Sequence, residues 1–275
     1  MNLPLQTRPV ALVTGASSGI GACYADRLAR RGHDLILLAR DEARLRQQAE
    51  RIAAHSGVAI ELLRADLSER ADLAQLTARI RDDAAIGLVV NNAGIATPGP
   101  LLGADPARID AMLALNVVAA TQVAIAAATA FAARGGGTLI NIASVVALLP
   151  ERFNGAYSGG KAHLLNLSQA LDQEASAHGV RVQAVLPGAT RTEIWQRAGV
   201  DIATLPAEML MDVEDLVDAA LAGLDQGERV TIPSLPDAAQ WERYVQARLA
   251  LAPNLSRDTP AARYRAATAA TEPQP

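Results

Sequence analysis

The chain has 275 residues, half of them hydrophobic and a fifth charged, with a net charge of −4. It is long enough to bury a full core and too apolar to remain disordered. No basic block marks a nucleic-acid surface, and the single cysteine, Cys23, excludes an internal disulfide.

In chain order, short runs rich in Val, Ile and Leu alternate with longer stretches of helical character. Residues 10–14, 35–39, 59–63, 88–91, 138–143, 180–186 and 230–232 read as strands. They lack polar alternation, as expected of strands covered on both faces. Helices are predicted over 19–31, 41–55, 68–83, 107–134, 156–178 and 213–226. Asp41 and Ser68 suit helix N-caps, and Gly32, Gly57 and Gly179 follow helices where a left-handed residue is often required. The alternation predicts an α/β fold: a doubly wound, mostly parallel sheet of about seven strands with helices on both faces and right-handed crossovers.

One domain is expected over 1–275, with an irregular insertion at about 189–211 and a C-terminal extension at about 233–275. The extension carries a short helix at about 237–251, with Trp241, Tyr244 and Leu249 on one side, and the last stretch, 266–275, reads as poorly ordered. Cys23 reads as a small buried hydrophobe. His33, His55, His163 and His178 read as surface or helix-end residues without metal-ligand spacing, so no metal is expected. The N-terminus lacks the features of a signal peptide and no run of about 18 uninterrupted apolar residues occurs, so a cytoplasmic protein without a membrane span is expected.

Between the first strand and first helix lie Gly15, Gly19 and Gly21, spaced G-x-x-x-G-x-G. Such a turn lets the backbone approach a pyrophosphate, and the helix start offers free N–H groups. At the end of the second strand stands Ala39-Arg40, where an NAD enzyme would usually carry an acid. A guanidinium there can pair with a 2′-phosphate, which predicts NADP(H); Asp41 is assigned to capping the next helix.

At this point the chain resembles the short-chain dehydrogenases/reductases, single-domain branch with a Rossmann-type fold. The resemblance rests on Thr14-Gly15-Ala16-Ser17-Ser18-Gly19-Ile20-Gly21, Ala65-Asp66-Leu67, Asn91-Asn92-Ala93-Gly94, Asn116, Ser144, Tyr157-Ser158-Gly159-Gly160-Lys161, and Pro187-Gly188 followed by Thr192. It implies a dinucleotide-binding oxidoreductase domain. Gly15, Ser17, Ser18, Gly19, Ile20 and Gly21 would line the pyrophosphate. Asp66, with Leu67 beside it, would meet adenine, and Asn92, Ala93 and Gly94 the adenine ribose and central strand. Pro187, Gly188, Thr190 and Thr192 would close around the nicotinamide. Asn116, Ser144, Tyr157 and Lys161 would form a catalytic tetrad, with Lys161 also binding the nicotinamide ribose and Asn116 anchoring a water that relays protons to it.

Tyr157 and Lys161 are four apart on a predicted helix and so share a face. A nearby ammonium is expected to lower the tyrosine pKa from its usual value near 10. Tyr157 could then give a proton to a carbonyl as hydride arrives, with Ser144 holding the substrate oxygen. The expected activity is an NADP(H)-dependent interconversion of a hydrophobic ketone or aldehyde with an alcohol, as in a carbonyl reductase. Val146, Phe153 and Trp195 join Ser144 and Tyr157 as expected substrate contacts. The alternatives are a hydroxysteroid-type or other alcohol dehydrogenase working oxidatively, and an NADP-binding sensor without turnover. The alanine-rich helices 107–134 and 156–178 predict a homodimer or homotetramer, and neither nucleic acid nor membrane is an expected partner.

Overall fold

The computed structural model describes residues 8–97, 99–197 and 201–264. The chain forms two compact units, Met1–Ser234 and Leu235–Pro275.

The first unit is built on seven strands: β1 (Val10–Thr14), β2 (Asp34–Ala39), β3 (Ile60–Arg64), β4 (Ile86–Asn91), β5 (Gly137–Ile142), β6 (Val180–Val185) and β7 (Val230–Thr231). They form one sheet in the order β3-β2-β1-β4-β5-β6-β7, and every neighbouring pair is parallel. The order reverses between β1 and β4, which opens a crevice at the carboxyl ends of the strands. The helices are α1 (Gly19–Arg30), α2 (Glu42–Ala53), α3 (Arg70–Asp82), α4 (Pro106–Leu113), α5 (Ala120–Arg134), α6 (Gly155–Ala175), a short α7 (Ile194–Arg197) and α8 (Val213–Asp225).

Side-chain alternation along the strands divides the core into two layers. Ala11 and Val13 of β1 and Leu35 and Leu37 of β2 meet Tyr24 and Leu28 of α1, Leu45 and Ile52 of α2, and Leu216 and Leu221 of α8. Leu12, Ile36 and Leu38 face the other way, onto Leu76 and Ile80 of α3 and Val123, Ala127 and Phe131 of α5. Cys23 is buried in the first layer. The second unit contains α9 (Ala238–Leu249), capped by Asp237, with Trp241 and Tyr244 stacked at 5.3 Å.

Several local expectations differ from the structure. The single helix expected over 107–134 is α4, a π-helical turn at Ala114–Ala119, and α5. As a whole, Pro106–Arg134 is long and apolar enough to cross a membrane by length and composition, although half of its most apolar window is buried in the fold. Ser68 does not cap α3, because its hydroxyl and backbone N–H both go to Asp66 and the helix starts two residues later. Gly32 and Gly179 do adopt positive φ, but Gly57 does not, since α2 ends earlier, at Ala53. His163 lies inside α6, half-buried, with Nε2 2.7 Å from the Thr121 hydroxyl of α5. The tail expected to be poorly ordered, 266–275, lies outside the described residues.

Candidate active site

The end of β1 is stitched to the end of β4. The Thr14 hydroxyl accepts the backbone N–H groups of Asn92 (2.9 Å) and Ala93 (3.0 Å), and the Asn92 amide donates to the Thr14 carbonyl at 2.9 Å. This seats the glycine turn against Asn92, Ala93 and Gly94. The turn has no room for side chains on its inner side: a Cβ on Gly15 would lie 2.8 Å from the Asn92 amide nitrogen, and one on Gly21 2.4 Å from the Gly15 carbonyl oxygen. Gly15 also sits at φ +68, where a side chain is strained. No acidic residue occupies the first turn of α1, so the positive end of its dipole is not neutralised from within. Thr192 reaches over this turn, 3.3 Å from where a Gly19 Cβ would be. Bare backbone, an open helix start and a covering threonine suit the diphosphate of a dinucleotide.

Arg40 and Asp66 stand side by side at the ends of β2 and β3. The Arg40 guanidinium, largely exposed, is 3.4 Å from the Asp66 carboxylate. Partial burial acts to raise the Asp66 carboxyl, but hydrogen bonds from Ser68 and the charge of Arg40 outweigh it and hold the group below the usual carboxylate range. Leu67 turns its side chain into the core beneath. Asp41 caps α2 by accepting the Arg44 N–H at 3.0 Å. Arg44 itself reaches Glu193 of the insertion at 2.5 Å, linking α2 to the segment that carries Thr192.

The reactive groups collect at the end of β5. Ser144 caps a short 3-10 turn (Val145–Ala147), its hydroxyl accepting the Val146 N–H and donating to the Pro187 carbonyl, each at 3.3 Å. Pro187 thereby fixes Ser144 to the strand end that continues to Gly188. Thr190 is buried, bonded to the Gly188 carbonyl at 3.1 Å, and pairs with Met211 across the neck of the insertion.

Tyr157 lies in the first turn of α6, and Lys161 one turn on is buried and donates to the Ile142 carbonyl at 2.8 Å. The Lys161 nitrogen is 5.8 Å from the centre of the Tyr157 ring. The other face of the environment is apolar, with the Phe153 ring 4.9 Å from that of Tyr157 and tilted by 52°. Burial therefore governs both acidities. It pushes the Tyr157 phenol up to about 12 and brings the Lys161 ammonium down to about 8. The lowering of Tyr157 expected from its neighbour is not found, because desolvation of the phenolate exceeds the help of an ammonium at this distance.

Asn116 sits buried in the π-helical turn, with both ends of its amide spent on one residue: Nδ2 donates to the Ile95 carbonyl at 2.7 Å and Oδ1 accepts the Ile95 N–H at 2.9 Å. Its side chain is a brace for the loop after β4, so any water relay to Lys161 would have to use another atom. Gly94 makes room for it, since a Cβ there would lie 3.1 Å from Oδ1.

The structure brings Ser144, Val146, Phe153, Tyr157 and Lys161 to one strand end but sets Trp195 apart. Its indole N–H is committed to the Thr190 carbonyl at 2.8 Å. Its ring lines a cleft of about 1180 Å³ outside α1 with Ser17, Thr192, Arg44 and Glu193, a cleft that Ser144, Phe153 and Tyr157 do not line. Cys23 is also in that wall, its thiol pushed up to about 11 by burial.

The sequence reading named Asn91 but missed its buried partners, and it missed Asn154. Asn91 of β4 donates to Asn141 of β5 and to the Ala120 carbonyl, and Asn141 donates to Ser168 of α6, all at 2.9 Å. Asparagine in two buried central strands was the available signal, because such a residue needs a partner. Asn154 caps α6, and its position three residues before Tyr157 is the usual place for such a cap.

The family description for short chain dehydrogenases matches residues 9–202. A solved short-chain dehydrogenase from Sphingobium yanoikuyae, in complex with NADPH, is 50% identical and superimposes with a TM-score of 0.90, covering 93% of this chain and 100% of its own. A bulky-bulky ketone specific alcohol dehydrogenase from Comamonas testosteroni is 44% identical at a TM-score of 0.86, covering 94% and 99%. An uncharacterised oxidoreductase of Staphylococcus saprophyticus is 30% identical over 81% of this chain and 94% of its own. The glycine turn, the Ser144–Tyr157–Lys161 cluster and these matches together make the chain a member of the short-chain dehydrogenase/reductase family of oxidoreductases.

Proposed function

We propose that this chain is an NADP(H)-dependent carbonyl reductase that converts a bulky hydrophobic ketone or aldehyde to an alcohol, with Tyr157 as general acid. The observation that carries the reading is the cluster of Tyr157, Lys161 and Ser144 at the end of β5 beside Phe153. The similarity to an NADPH complex and to a ketone-specific alcohol dehydrogenase supports it.

The bound cofactor supplies the hydride. Gly15 and Gly21 pack directly on Asn92 and on the turn's own backbone, with no room for a side chain, and this close-packed turn leaves bare backbone at the start of α1 that fits its diphosphate, with Ser17, Ser18, Gly19 and Ile20 completing the cradle. Arg40 would hold the 2′-phosphate, Asp66 and Leu67 the adenine side, and Asn92, Ala93 and Gly94 the ribose. Lys161 would hold the nicotinamide ribose, with Pro187, Gly188, Thr190 and Thr192 at the carboxamide.

The Ser144 hydroxyl orients the carbonyl oxygen. A phenol with a pKa near 12 stays protonated at neutral pH, so Tyr157 has a proton to donate to that oxygen. Lys161, still mostly charged at pH 7, stabilises the phenolate left behind. Phe153 and Val146 exclude water from the reacting side. Loss of NADPH absorbance with a panel of aryl alkyl ketones tests the reading; binding of NADPH without turnover across the panel would reject it.

The protein is proposed to act in the cytoplasm as a homodimer or homotetramer. Val118 and Ile125, about half exposed, lie two turns apart on the outer side of the π turn and α5, where a second copy would cover them. Light scattering on the purified protein tests the assembly.

A further inference from the structure

The loop that follows β4 is gripped twice, two residues apart. Asn116 holds both backbone groups of Ile95, and Asn154 holds the carbonyl of Thr97, its Nδ2 donating at 2.5 Å. The opposite end of the Asn154 amide, Oδ1, accepts the backbone N–H of Tyr157 at 2.9 Å. Only one orientation of the amide satisfies both contacts, since a carbonyl needs a donor and an N–H an acceptor. The Asn154 carbonyl adds a second hold on the helix, accepting from the Ser158 N–H and hydroxyl at 3.1 Å each. Thr97 is itself anchored: it is buried, and its hydroxyl meets the Met112 sulfur of α4 at 3.2 Å.

We infer that Asn154 is a positioning residue for Tyr157, fixing the first turn of α6 to the loop after β4 and so setting where the phenol stands. A cap alone needs only an acceptor, which Asp or Ser would provide as well. The donor to Thr97 is what asparagine adds. Through it, the helix bearing Tyr157 and the π turn bearing Asn116 are both measured from one short segment, 95–97. That segment also begins the exposed stretch with Leu101 and Leu102, so its base is set by the same contact; Thr97 and Asn154 line a cavity of about 410 Å³ with them.

The inference rests on Tyr157 being the acid, and the test separates the two. Asn154→Asp and Asn154→Ser keep an acceptor for the Tyr157 N–H but lose the amide donor to Thr97. Each is compared with the wild type and with Tyr157→Phe in reduction of butyrophenone by NADPH. For both Asn154 variants the expected result is a loss in kcat of about 10- to 100-fold. The pH profile is expected to be displaced, and the Kd for NADPH to stay within about threefold. Wild-type kcat and pH profile in both would overturn the inference, as would loss of NADPH binding in both, which would make the contact a general folding element. If Tyr157→Phe still reduces the ketone, the acid assignment fails; if it is silent while the Asn154 variants are unaffected, only the present inference fails.

Discussion

The Lys161 ammonium is held at 2.8 Å by the carbonyl of Ile142, two residues before Ser144. The cation beside the Tyr157 ring and the Ser144 hydroxyl are thus set from the same strand end. Burial brings that ammonium down to about 8, so it is charged at neutral pH and neutral in mild alkali. Reductive turnover is expected to decline above about pH 8 as Lys161 loses its proton, while the phenol, near 12, still keeps its own. A pH profile of kcat flat from 7 to about 10 would contradict this.

Lys161→Met should abolish turnover yet stabilise the fold at neutral pH. The folded-state pKa of Lys161 lies below its unfolded value, so its cost to stability is complete below about pH 8 and fades as pH rises toward about 10.4. Removing the charge should raise stability by about 1–3 kcal/mol at pH 7 and by much less near pH 10, measured by urea unfolding. The opposite pH trend would show that the ammonium is not the destabilising group.

Tyr157→Phe removes the proton without disturbing the ring contact with Phe153. Turnover should fall by about 10²–10⁴-fold or below detection, with NADPH affinity within a few-fold of the wild type. Retained reduction would mean another group supplies the proton.

Arg40→Asp replaces an exposed guanidinium by a carboxylate beside Asp66. NADPH binding should weaken by about 10- to 100-fold, the worth of a charge-assisted contact, with a smaller effect on NADH. An unchanged preference would move the 2′-phosphate elsewhere, and Arg44 would be the next guanidinium to test.

Tyr24 is fully buried in α1, and its hydroxyl has no partner among the described residues. Desolvation pushes the phenol far above its ordinary value. Tyr24→Phe should leave activity intact and raise stability by about 1 kcal/mol, because it removes an unsatisfied donor and keeps the ring. A clear loss in thermal stability would reveal a partner for the hydroxyl, such as an ordered water.

The strand and helix succession was legible because both parallel-sheet faces are covered, which leaves apolar runs in β1, β2 and β4. Asp41 was readable as a cap for the same local reason. The π turn was not legible, since Asn116, Val117 and Val118 only weaken helix propensity there and nothing in the pattern marks an added residue. The extra residue of that turn is held by a tertiary bond from Asn116 to Ile95, which only the folded chain supplies. Ser68 was misread because Asp66, two residues back, competes for its hydroxyl. The direction of the Tyr157 shift was missed because spacing on a helix shows nearness to Lys161 but not the cost of desolvating the phenolate among its neighbours. The direction of the Trp195 ring was not legible either, since its indole N–H is turned back to its own loop by the bond to the Thr190 carbonyl.

The neck at Thr190 and Met211 has a wider meaning. Two backbone bonds, Met211 to Ala189 and Arg191 to Met211, close the insertion on itself before it rejoins the sheet. The neck thereby ties the end of β6 to the start of α8 through backbone alone, whatever side chains the enclosed stretch carries. A change of side chains within the loop, Thr192 and Glu193 apart, is therefore expected to leave the proton-handling strand end in place.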